Sequence, residues 1–270
     1  MSEEPVAPPS EHVARKRFGQ HFLVDRTYIR RIVDAVSPTD VDTVVEIGPG
    51  LGALTFPLLE VTSHLHVIEI DRDIVARLRG TCSENRLTIH EGDALAFDLP
   101  RIGRDLRLVG NLPYNISTPL LFHLAHHASC VRDGHFMLQK EVVDRMVSEA
   151  GSADYGRLSV MLQAQFSMEK LFEVPPGAFR PPPKVQSAVV RMRPLDVPLV
   201  SASLAPVFGR LVAAAFSKRR KTLRNAFQGY LDARGIEAAG LDVGSRPEQV
   251  SVAGFVRAAE EALRRRPSSG

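Results

Sequence analysis

The feature that most constrains the fold of this chain is a glycine-rich turn between a predicted strand and a predicted helix. Residues 43–47 predict a strand, and residues 48–52 (Gly-Pro-Gly-Leu-Gly) lead from it into a helix predicted over residues 53–59. Glycines let a ligand approach the backbone closely, and the amino end of the following helix is then directed at that ligand. This arrangement is typical of open α/β sheets, which bind ligands at the carboxyl ends of their strands.

Carboxylates follow the next two predicted strands. The strand predicted over residues 66–70 contains Glu69, about 20 residues beyond the glycine turn, where a carboxylate accepts hydrogen bonds from both hydroxyls of a ribose. Asp93 follows the strand predicted over residues 87–90, and it either accepts a hydrogen bond from an adenine amino group or only caps a turn. The glycine turn and Glu69 predict an adenosine-containing ligand. They do not distinguish a methyl donor from a nicotinamide dinucleotide.

Strands and helices alternate through the first half of the chain, which implies right-handed crossovers and a mostly parallel sheet. Asp25 is a candidate cap for the first helix, and Ser117 for a later one. The other predicted elements are helices over residues 25–36, 117–127 and 141–149 and strands over residues 106–110, 135–138, 166–174 and 185–192. We therefore predict an α/β domain over residues 15–194 and a small, mainly helical domain over residues 200–270.

The tetrapeptide Asn111-Leu112-Pro113-Tyr114 closes the fourth predicted strand. Pro113 has no N–H to continue a ladder, so an amide and an aromatic ring are left at the carboxyl edge of the sheet. This pair suits a flat base with an amino group. If the Asn111 side-chain oxygen and the Leu112 carbonyl accept the hydrogens of that amine, its lone pair can be directed at a methyl group. No acid or base at a strand end stands out for hydride transfer, so the pattern favours methyl transfer.

Two basic segments are candidates for phosphate contacts. Residues 15–23 include Arg17, and they are either a solvated surface or a loop that folds over a bound ligand. In the second segment, Phe216, Leu223 and Phe227 have the spacing of one helix face. Its cations, with no acid among them, are Lys218, Arg219, Arg220, Lys221 and Arg224. A cationic cluster without neutralising partners favours nucleic-acid backbone over a merely solvated face.

Composition limits the class of protein. Of the 270 residues, 44% are hydrophobic and 24% are charged, which is typical of a soluble globular protein. No apolar run approaches the roughly 18 residues of a membrane span, and residues 1–14 predict a disordered tail rather than a signal peptide. Cys82 and Cys130 lack metal or redox spacing, and the histidines of residues 123–127 lack a carboxylate at metal spacing. We expect a cytoplasmic protein without a metal site.

Five motifs, in order along the chain, resemble those of the ribosomal RNA adenine N6-dimethyltransferases. They lie at residues 18–23 (Phe-Gly-Gln-His-Phe-Leu), 46–52 (Glu-Ile-Gly-Pro-Gly-Leu-Gly), 111–117 (Asn-Leu-Pro-Tyr-Asn-Ile-Ser), 179–187 (Phe-Arg-Pro-Pro-Pro-Lys-Val-Gln-Ser) and 216–225 (Phe-Ser-Lys-Arg-Arg-Lys-Thr-Leu-Arg-Asn). The resemblance is strongest to the bacterial small-subunit enzymes. It implies a Rossmann-like class I S-adenosylmethionine-dependent methyltransferase domain followed by a small, mainly helical C-terminal domain.

The resemblance also implies roles for individual residues. The S-adenosylmethionine site is expected to be lined by His21, Leu23, Gly48, Gly50, Glu69, Asp93 and Asn111. His21 stands where many relatives have asparagine. Asn111 also holds the target amine, and Tyr114 and Phe179 stack on the target base, unless Phe179 is only a hydrophobic plug. The rigid proline-rich loop presents Phe179, and the basic segment binds ribosomal RNA backbone.

For the whole protein, the resemblance implies dimethylation of N6 of two adjacent adenines in the 3′-terminal hairpin loop of 16S rRNA. The partner would be the immature 30S subunit, and we expect a monomer. One alternative is a macrolide-resistance methyltransferase that modifies a 23S rRNA adenine and shares the Asn-Leu-Pro-Tyr motif. Residues 174–187 and 217–225 favour the small-subunit enzyme. Another alternative is a non-catalytic ribosome-assembly or transcription factor on the same fold, although the complete set of site residues argues against lost chemistry.

Overall fold

A computed structural model describes residues 21–217 and 220–265 of the chain. The predicted tail over residues 1–14, together with Arg17, Lys218 and Arg219, lies outside the described residues. The strands of the described ranges are β1 (Phe22–Leu23), β2 (Val44–Ile47), β3 (Leu65–Glu69), β4 (Leu87–Glu91), β5 (Leu106–Asn111), β6 (Val131–Gln139), β7 (Phe166–Val174), β8 (Phe179–Arg180) and β9 (Ser187–Pro194). The α-helices are α1 (Arg26–Val36), α2 (Thr55–Val61), α3 (Arg72–Thr81), α4 (Ser117–His126), α5 (Lys140–Val147), α6 (Arg157–Gln163), α7 (Ala205–Ala215), α8 (Leu223–Ala226), α9 (Ala233–Ala238) and α10 (Val252–Arg264). None of these helices is long and apolar enough to cross a membrane.

A seven-stranded sheet with the order β4-β3-β2-β5-β6-β9-β7 organises the α/β part. Strands β2 to β6 pair in parallel, whereas β9 is antiparallel to both β6 and β7. The predicted, mostly parallel sheet is confirmed. The chain moves outward from β2 to β3 and β4 and then crosses to the other side at β5. The strand order therefore reverses between β2 and β5, and a ligand crevice forms at such a point.

Short-range hydrogen bonds set the ends of the helices near this point. The Asp25 carboxylate accepts a hydrogen bond from the Thr27 N–H over 2.8 Å, so Asp25 is the cap of α1, as predicted. Ser117 is not the cap of α4, because it lies within the first turn and donates its hydroxyl to the Pro113 carbonyl oxygen over 3.0 Å. α2 begins later than the predicted residue 53, because Gly52 has a φ of 90° and prolongs the turn.

Three hydrophobic clusters stabilise the described part of the chain. Val45 and Ile47 of β2 belong to the cluster on one face of the sheet, and Val44 belongs to the cluster on the other face. The third cluster lies among the C-terminal helices. Leu158 of α6 packs in a sheet cluster, whereas Val160 of the same helix packs in the C-terminal cluster. The two predicted domains therefore share α6, and the boundaries between them stay a prediction.

The basic segment is not the single helix that the apolar spacing predicted. α7 ends at Ala215, with Phe216 as its C-cap, and α8 begins only at Leu223. Between them, Arg220 has a φ of 67°, which is incompatible with a right-handed helix. Leu223 and Phe227 are buried in the C-terminal cluster, and Phe216 packs against it. The three apolar residues whose spacing suggested one helix face therefore lie at the ends of two separate helices, which pack in the same C-terminal cluster.

Candidate active site

A cavity opens where β2, β3 and β5 end, on both sides of the reversal in strand order. It encloses about 1090 Å³ of empty space, including the part that is open to solvent. The residues predicted for the cofactor and for the target amine line this one cavity, and they are His21, Leu23, Gly48, Gly50, Glu69, Asp93, Asn111, Leu112, Pro113 and Tyr114. The structure therefore brings these predicted residues together. Phe179 is not among the lining residues, and Glu46 and Ile70 line the cavity without having been predicted.

The glycine turn leaves its backbone open to a ligand. Gly48 and Gly50 have φ values of 69° and 53°, which favour glycine because other side chains rarely adopt them. A Cβ atom on Gly48 would meet no described atom within 4 Å, so it would project into free space beside the turn. On Gly50, a Cβ atom would lie 3.2 Å from the Phe22 ring. Any residue larger than glycine at these two positions would therefore strain the backbone of the turn, and its side chain would occupy part of the space beside it.

Glu69 ends β3 beside this turn and is only 7% exposed. Its Oε1 accepts a hydrogen bond from the Asp71 N–H over 2.8 Å. Burial raises the pKa of the carboxyl, while hydrogen bonds from the backbone of Asp71, Ile70 and Gly50 oppose that change. The carboxyl group is therefore held in place by backbone donors from both the strand end and the glycine turn. This is the position from which an acid binds the hydroxyls of a ribose.

Asp93 and Ile70 line the same end of the cavity. The Asp93 Oδ1 accepts a hydrogen bond from the Leu95 N–H over 2.9 Å, so the residue does stabilise a turn. Its second oxygen makes no hydrogen bond within the described part of the chain, and the predicted adenine contact stays open. Ile70 is 50% exposed and offers an apolar surface for a base. Ile70 was not predicted from the sequence, although its place directly after Glu69 is a usable signal.

Asn111 lies at the end of β5, on the other side of the cavity. Its Nδ2 donates a hydrogen bond to the His21 backbone oxygen over 2.9 Å. Because the amide nitrogen is used in this way, the side-chain oxygen is the group left for an incoming donor. The His21 imidazole is itself fixed by a 2.9 Å hydrogen bond between Nδ1 and the Pro181 carbonyl oxygen. The segment at His21 therefore orients the amide that is predicted to hold the target amine.

Tyr114 provides an aromatic surface beside Asn111. Its ring centroid is 5.5 Å from that of His21, with 31° between the ring planes. The hydroxyl oxygen is 2.6 Å from the Ser187 Oγ, which ties the ring to the start of β9. Burial raises the pKa of the phenol, with the Ser187 hydrogen bond acting in the opposite direction. Tyr114 thus presents a neutral, positioned ring to the cavity.

Phe179 does not line the cavity. The residue is fully buried in the core on one face of the sheet. It lies in β8, which pairs with β1 so that Phe179 is opposite Leu23. The geometry matches the hydrophobic plug that the sequence left as an alternative. Stacking of Phe179 on a target base stays a prediction, and it would require the ring to leave this core.

Glu46 also lines the cavity, and it was not predicted as a site residue from the sequence. It is the penultimate residue of β2, with Ile47 between it and the glycine turn, and is only 1% exposed. Its Oε2 accepts a hydrogen bond of 2.6 Å from the Thr55 hydroxyl. Burial raises the pKa of the Glu46 carboxyl to about 8, and the neighbouring Glu69 adds to this shift. An acid in a buried strand was the available signal, since unpaired glutamates are rarely buried.

Three of the predicted RNA-binding cations, Arg220, Lys221 and Arg224, belong to the described residues, and none of the three lines the cavity. Arg220 and Arg224 are exposed in the C-terminal helical part, and Lys221 is half-buried. Lys221 lines a shallow groove together with Asn225 and Gln228. Within the described ranges, no group of three or more histidine, cysteine or acidic side chains could hold a metal ion.

Fold and cavity together define a class I methyltransferase, for which the methyl donor is S-adenosylmethionine. The structure of a dimethyladenosine transferase from Plasmodium falciparum superimposes with a TM-score of 0.75 at 24% identity, covering 90% of this chain and 98% of that one. The 23S rRNA methyltransferase ErmE superimposes with a TM-score of 0.69 at 25% identity, covering 90% of this chain and 99% of that one. The predicted fold class is confirmed.

The chain belongs to the ribosomal RNA adenine dimethylase family, whose sequence profile matches residues 11–263. The Ribosomal RNA small subunit methyltransferase A of Aromatoleum aromaticum is 62% identical over 247 residues, which are 92% of this chain and 93% of that protein. The protein of the same name from Nitrosospira multiformis is 59% identical over 246 residues, which are 91% of this chain and 95% of that protein. The resemblance carried by the five motifs is confirmed.

The cavity fits S-adenosylmethionine on its own geometry. The open backbone at Gly48 can lie against the ligand, and the carboxyl group of Glu69 is fixed where a ribose needs acceptors. The exposed side chain of Ile70 supplies an apolar surface beside that carboxyl. Asn111 and Tyr114 line the same cavity.

Proposed function

We propose that this protein dimethylates N6 of two adjacent adenines in the 3′-terminal hairpin loop of 16S rRNA, within the immature 30S subunit. The observation that supports this most directly is the oriented amide of Asn111. Its nitrogen donates to the His21 backbone oxygen, and its oxygen is left for the amino group of an adenine. The two relatives that match at 62% and 59% identity are both named as small-subunit methyltransferases.

The chemistry needs positioning more than acid–base catalysis. S-adenosylmethionine, when bound, supplies an activated methyl group on a positively charged sulfur. The Asn111 oxygen and the Leu112 carbonyl accept the hydrogens of the exocyclic amine, so the nitrogen becomes pyramidal and its lone pair, no longer delocalised into the ring, is aimed along the line of transfer. The Tyr114 ring stacks on the base and fixes its plane. The amine loses its proton after the transfer.

A second methylation of the same nitrogen follows from the same contacts. The first transfer replaces one N–H with a methyl group, and one hydrogen remains for a single acceptor. The cavity is partly open to solvent, so a base that already carries a methyl group can enter again. The enzyme would then act twice on each adenine.

The RNA must present its target outside the base stack. An adenine in a hairpin loop loses little pairing energy on extrusion, and stacking on an aromatic side chain restores roughly 1–3 kcal/mol. Arg220, Lys221 and Arg224 provide cations for the RNA backbone in the C-terminal part, and Arg17, Lys218 and Arg219 are proposed for the same role from sequence. Affinity that depends on such contacts falls as salt rises.

The partner and the location follow from this substrate. The protein would act on assembling 30S subunits in the cytoplasm, and we expect it to do so as a monomer. The chain is also 25% identical to a 23S rRNA methyltransferase, so the large subunit is the second candidate substrate. A non-catalytic assembly factor would bind the subunit without transferring a methyl group.

Transfer of labelled methyl groups from S-adenosylmethionine tests the proposal. The acceptors are 30S subunits from a strain without this methylation, with 50S subunits as the comparison. We expect labelled N6,N6-dimethyladenosine in the digest of the 30S sample alone. The Asn111→Ala variant is expected to be inactive, and the exposed-site variant Asn85→Ala is expected to be fully active. Label in the 50S sample would reassign the substrate, and cofactor binding without label in either sample would support the assembly factor.

A further inference from the structure

Two buried carboxyl groups line the same cavity. Glu46 is 1% exposed and Glu69 is 7% exposed, and the two lie on adjacent parallel strands. Both residues line the space that receives the cofactor. Glu69 is explained by its position for binding a ribose. Glu46 has no role in that contact, although it is the more deeply buried acid of the two.

The groups that face Glu46 from the neighbouring elements do not compensate a negative charge. α2 contributes the Thr55 hydroxyl, which donates one hydrogen bond. β3 contributes Glu69, which is itself acidic, and the residues paired with Glu46 on the two flanking strands are Val67 and Val109. Within the described part of the chain, no lysine, arginine or histidine forms an ion pair with either Glu46 or Glu69. A charge on Glu46 is therefore unfavourable while no other cation is present.

This environment determines the protonation state of the free protein. Burial raises the pKa of Glu46 to about 8, and repulsion by Glu69 acts in the same direction. At neutral pH the Glu46 carboxyl is consequently protonated and donates or accepts hydrogen bonds as a neutral group. Its charge becomes favourable only if a cation enters the low-dielectric cavity beside it.

S-adenosylmethionine brings such a cation. Its sulfonium is positively charged, whereas the sulfur of the product S-adenosylhomocysteine is a neutral thioether. The two ligands fill nearly the same space, so contacts of shape alone barely distinguish them. A neighbouring group that can become negative would distinguish them by charge.

We propose that Glu46 is a specificity-determining residue that releases a proton to solvent when S-adenosylmethionine binds and recovers it when S-adenosylhomocysteine remains. The ionised carboxylate stabilises the cationic methyl donor, and the neutral acid does not stabilise the product. Binding of the methyl donor is thus coupled to one protonation equilibrium. Because the sulfonium charge is lost during transfer, the affinity for the product is lower than the affinity for the donor.

Calorimetric titration of the cofactor at pH 7, in buffers with different ionisation enthalpies, measures the protons released. We expect about one proton per S-adenosylmethionine from this group and clearly fewer with S-adenosylhomocysteine. From pH 7 to pH 6 the donor's Kd should rise about tenfold for the wild type. In Glu46→Gln this proton and this pH dependence should be absent, and the preference for donor over product should shrink. Ionisation of the ligand's own amino group affects both proteins equally and cancels in the comparison.

The Thr55→Val variant provides a second, independent readout. It removes a hydrogen bond that favours the ionised carboxylate, so proton release should extend to higher pH than in the wild type. Circular dichroism and thermal melting establish that each variant is folded. Equal proton release by the wild type and Glu46→Gln would overturn the proposal, as would a wild-type protein that binds the donor at pH 7 without releasing a proton from Glu46. Because binding is measured without RNA, neither result depends on the proposed ribosomal substrate.

Discussion

The Asn111 side chain donates a hydrogen bond from Nδ2 to the backbone oxygen of His21 over 2.9 Å, across 90 residues of sequence. This contact fixes which end of the amide faces the cavity. Since a backbone carbonyl can only accept, the Asn111 oxygen cannot take its place without repulsion. The amide therefore presents an acceptor to the target amine before any substrate binds.

The Asn111→Asp variant tests this orientation with almost no change in volume. A carboxylate cannot donate to the His21 oxygen, so we expect its placement to be lost and methyl transfer to fall by about 10- to 100-fold, in line with about 1–3 kcal/mol for an unsatisfied buried group. Labelled methyl transfer to 30S subunits measures the effect. Asn85→Asp, at an exposed position, is the matched control and should keep wild-type activity. A fully active Asn111→Asp protein would contradict the proposed role of the amide.

Tyr114 is expected to act through its ring rather than its hydroxyl. Tyr114→Ala removes a stacking surface that contributes roughly 1–3 kcal/mol per base, so transfer should fall by about 10- to 100-fold while S-adenosylmethionine still binds. Tyr114→Phe should lose only the contact with Ser187, and Ser187→Ala removes that contact from the other side. These two variants should show the same small loss. Weaker cofactor binding in Tyr114→Ala, equal to its loss of transfer, would count against stacking.

Phe179 is expected to contribute to stability. Phe179→Ala should reduce the free energy of unfolding by about 3–5 kcal/mol, because the ring is fully buried. Phe179→Leu keeps an apolar side chain in the core and separates the two roles. If Phe179 is a core residue, transfer by Phe179→Leu should change only in proportion to stability. If the ring stacks on the target, Phe179→Leu should be folded, bind the cofactor and transfer poorly.

The sequence alone could predict which residues lie at the ends of the strands, because that placement depends only on nearby residues in the chain. The glycine turn follows β2, Glu69 and Asn111 are the last residues of β3 and β5, and parallel strands bring their carboxyl ends to one edge. Glu46 was overlooked because its significance depends on the Thr55 hydroxyl and on a second buried acid, which become neighbours only in the folded sheet.

Other parts of the fold depend on contacts that a linear pattern cannot reveal. The insertion of β9 between β6 and β7 brings together strands that are separated by several other elements. Phe179 was expected at the site because its proline-rich neighbourhood is rigid. In the structure, β8 pairs with β1, so that Phe179 lies opposite Leu23 and its side chain is buried in the core. The apolar spacing at Phe216, Leu223 and Phe227 matched one helix, but the positive φ of Arg220 divides the segment.

The stability of the cofactor-free protein should depend on pH through Glu46. The pKa of Glu46 is raised from 4.5 to about 8 on folding, so the folded protein binds more protons than the unfolded chain between these values. Stability is therefore lost as pH rises through that window, by up to about 1.4 kcal/mol per pH unit. Urea denaturation at pH 6.5 and pH 8 should show this loss in the wild type and a smaller one in Glu46→Gln. Glu84→Gln, at an exposed position, should follow the wild type, and a pH-independent difference between the wild type and Glu46→Gln would contradict the assignment.

The cations of the C-terminal part should determine how salt affects binding to the 30S subunit. Arg224→Ala removes an exposed charge, so affinity should fall and the slope of log affinity against log salt should decrease by about 1 for one lost phosphate contact. Sedimentation binding at several salt concentrations measures both quantities. Arg77→Ala removes an exposed arginine of α3 and should change neither. Methyl transfer at saturating 30S concentration should be nearly normal for both variants, whereas an unchanged salt slope for Arg224→Ala would remove this residue from the interface.

The short pairing of β1 with β8 has a consequence for how the protein is made. The two strands place Phe22 and Leu23 beside Arg180 and Phe179, and the Phe22 ring lies against the glycine turn. A ribosome that has synthesised only β1 to β5 has already made the glycine turn, Glu69 and Asn111, but not the segment that holds His21 and Phe22 in place. The cavity is thus complete only in a chain that has been synthesised beyond β8, because the residues that hold His21 and Phe22 in place come from that segment.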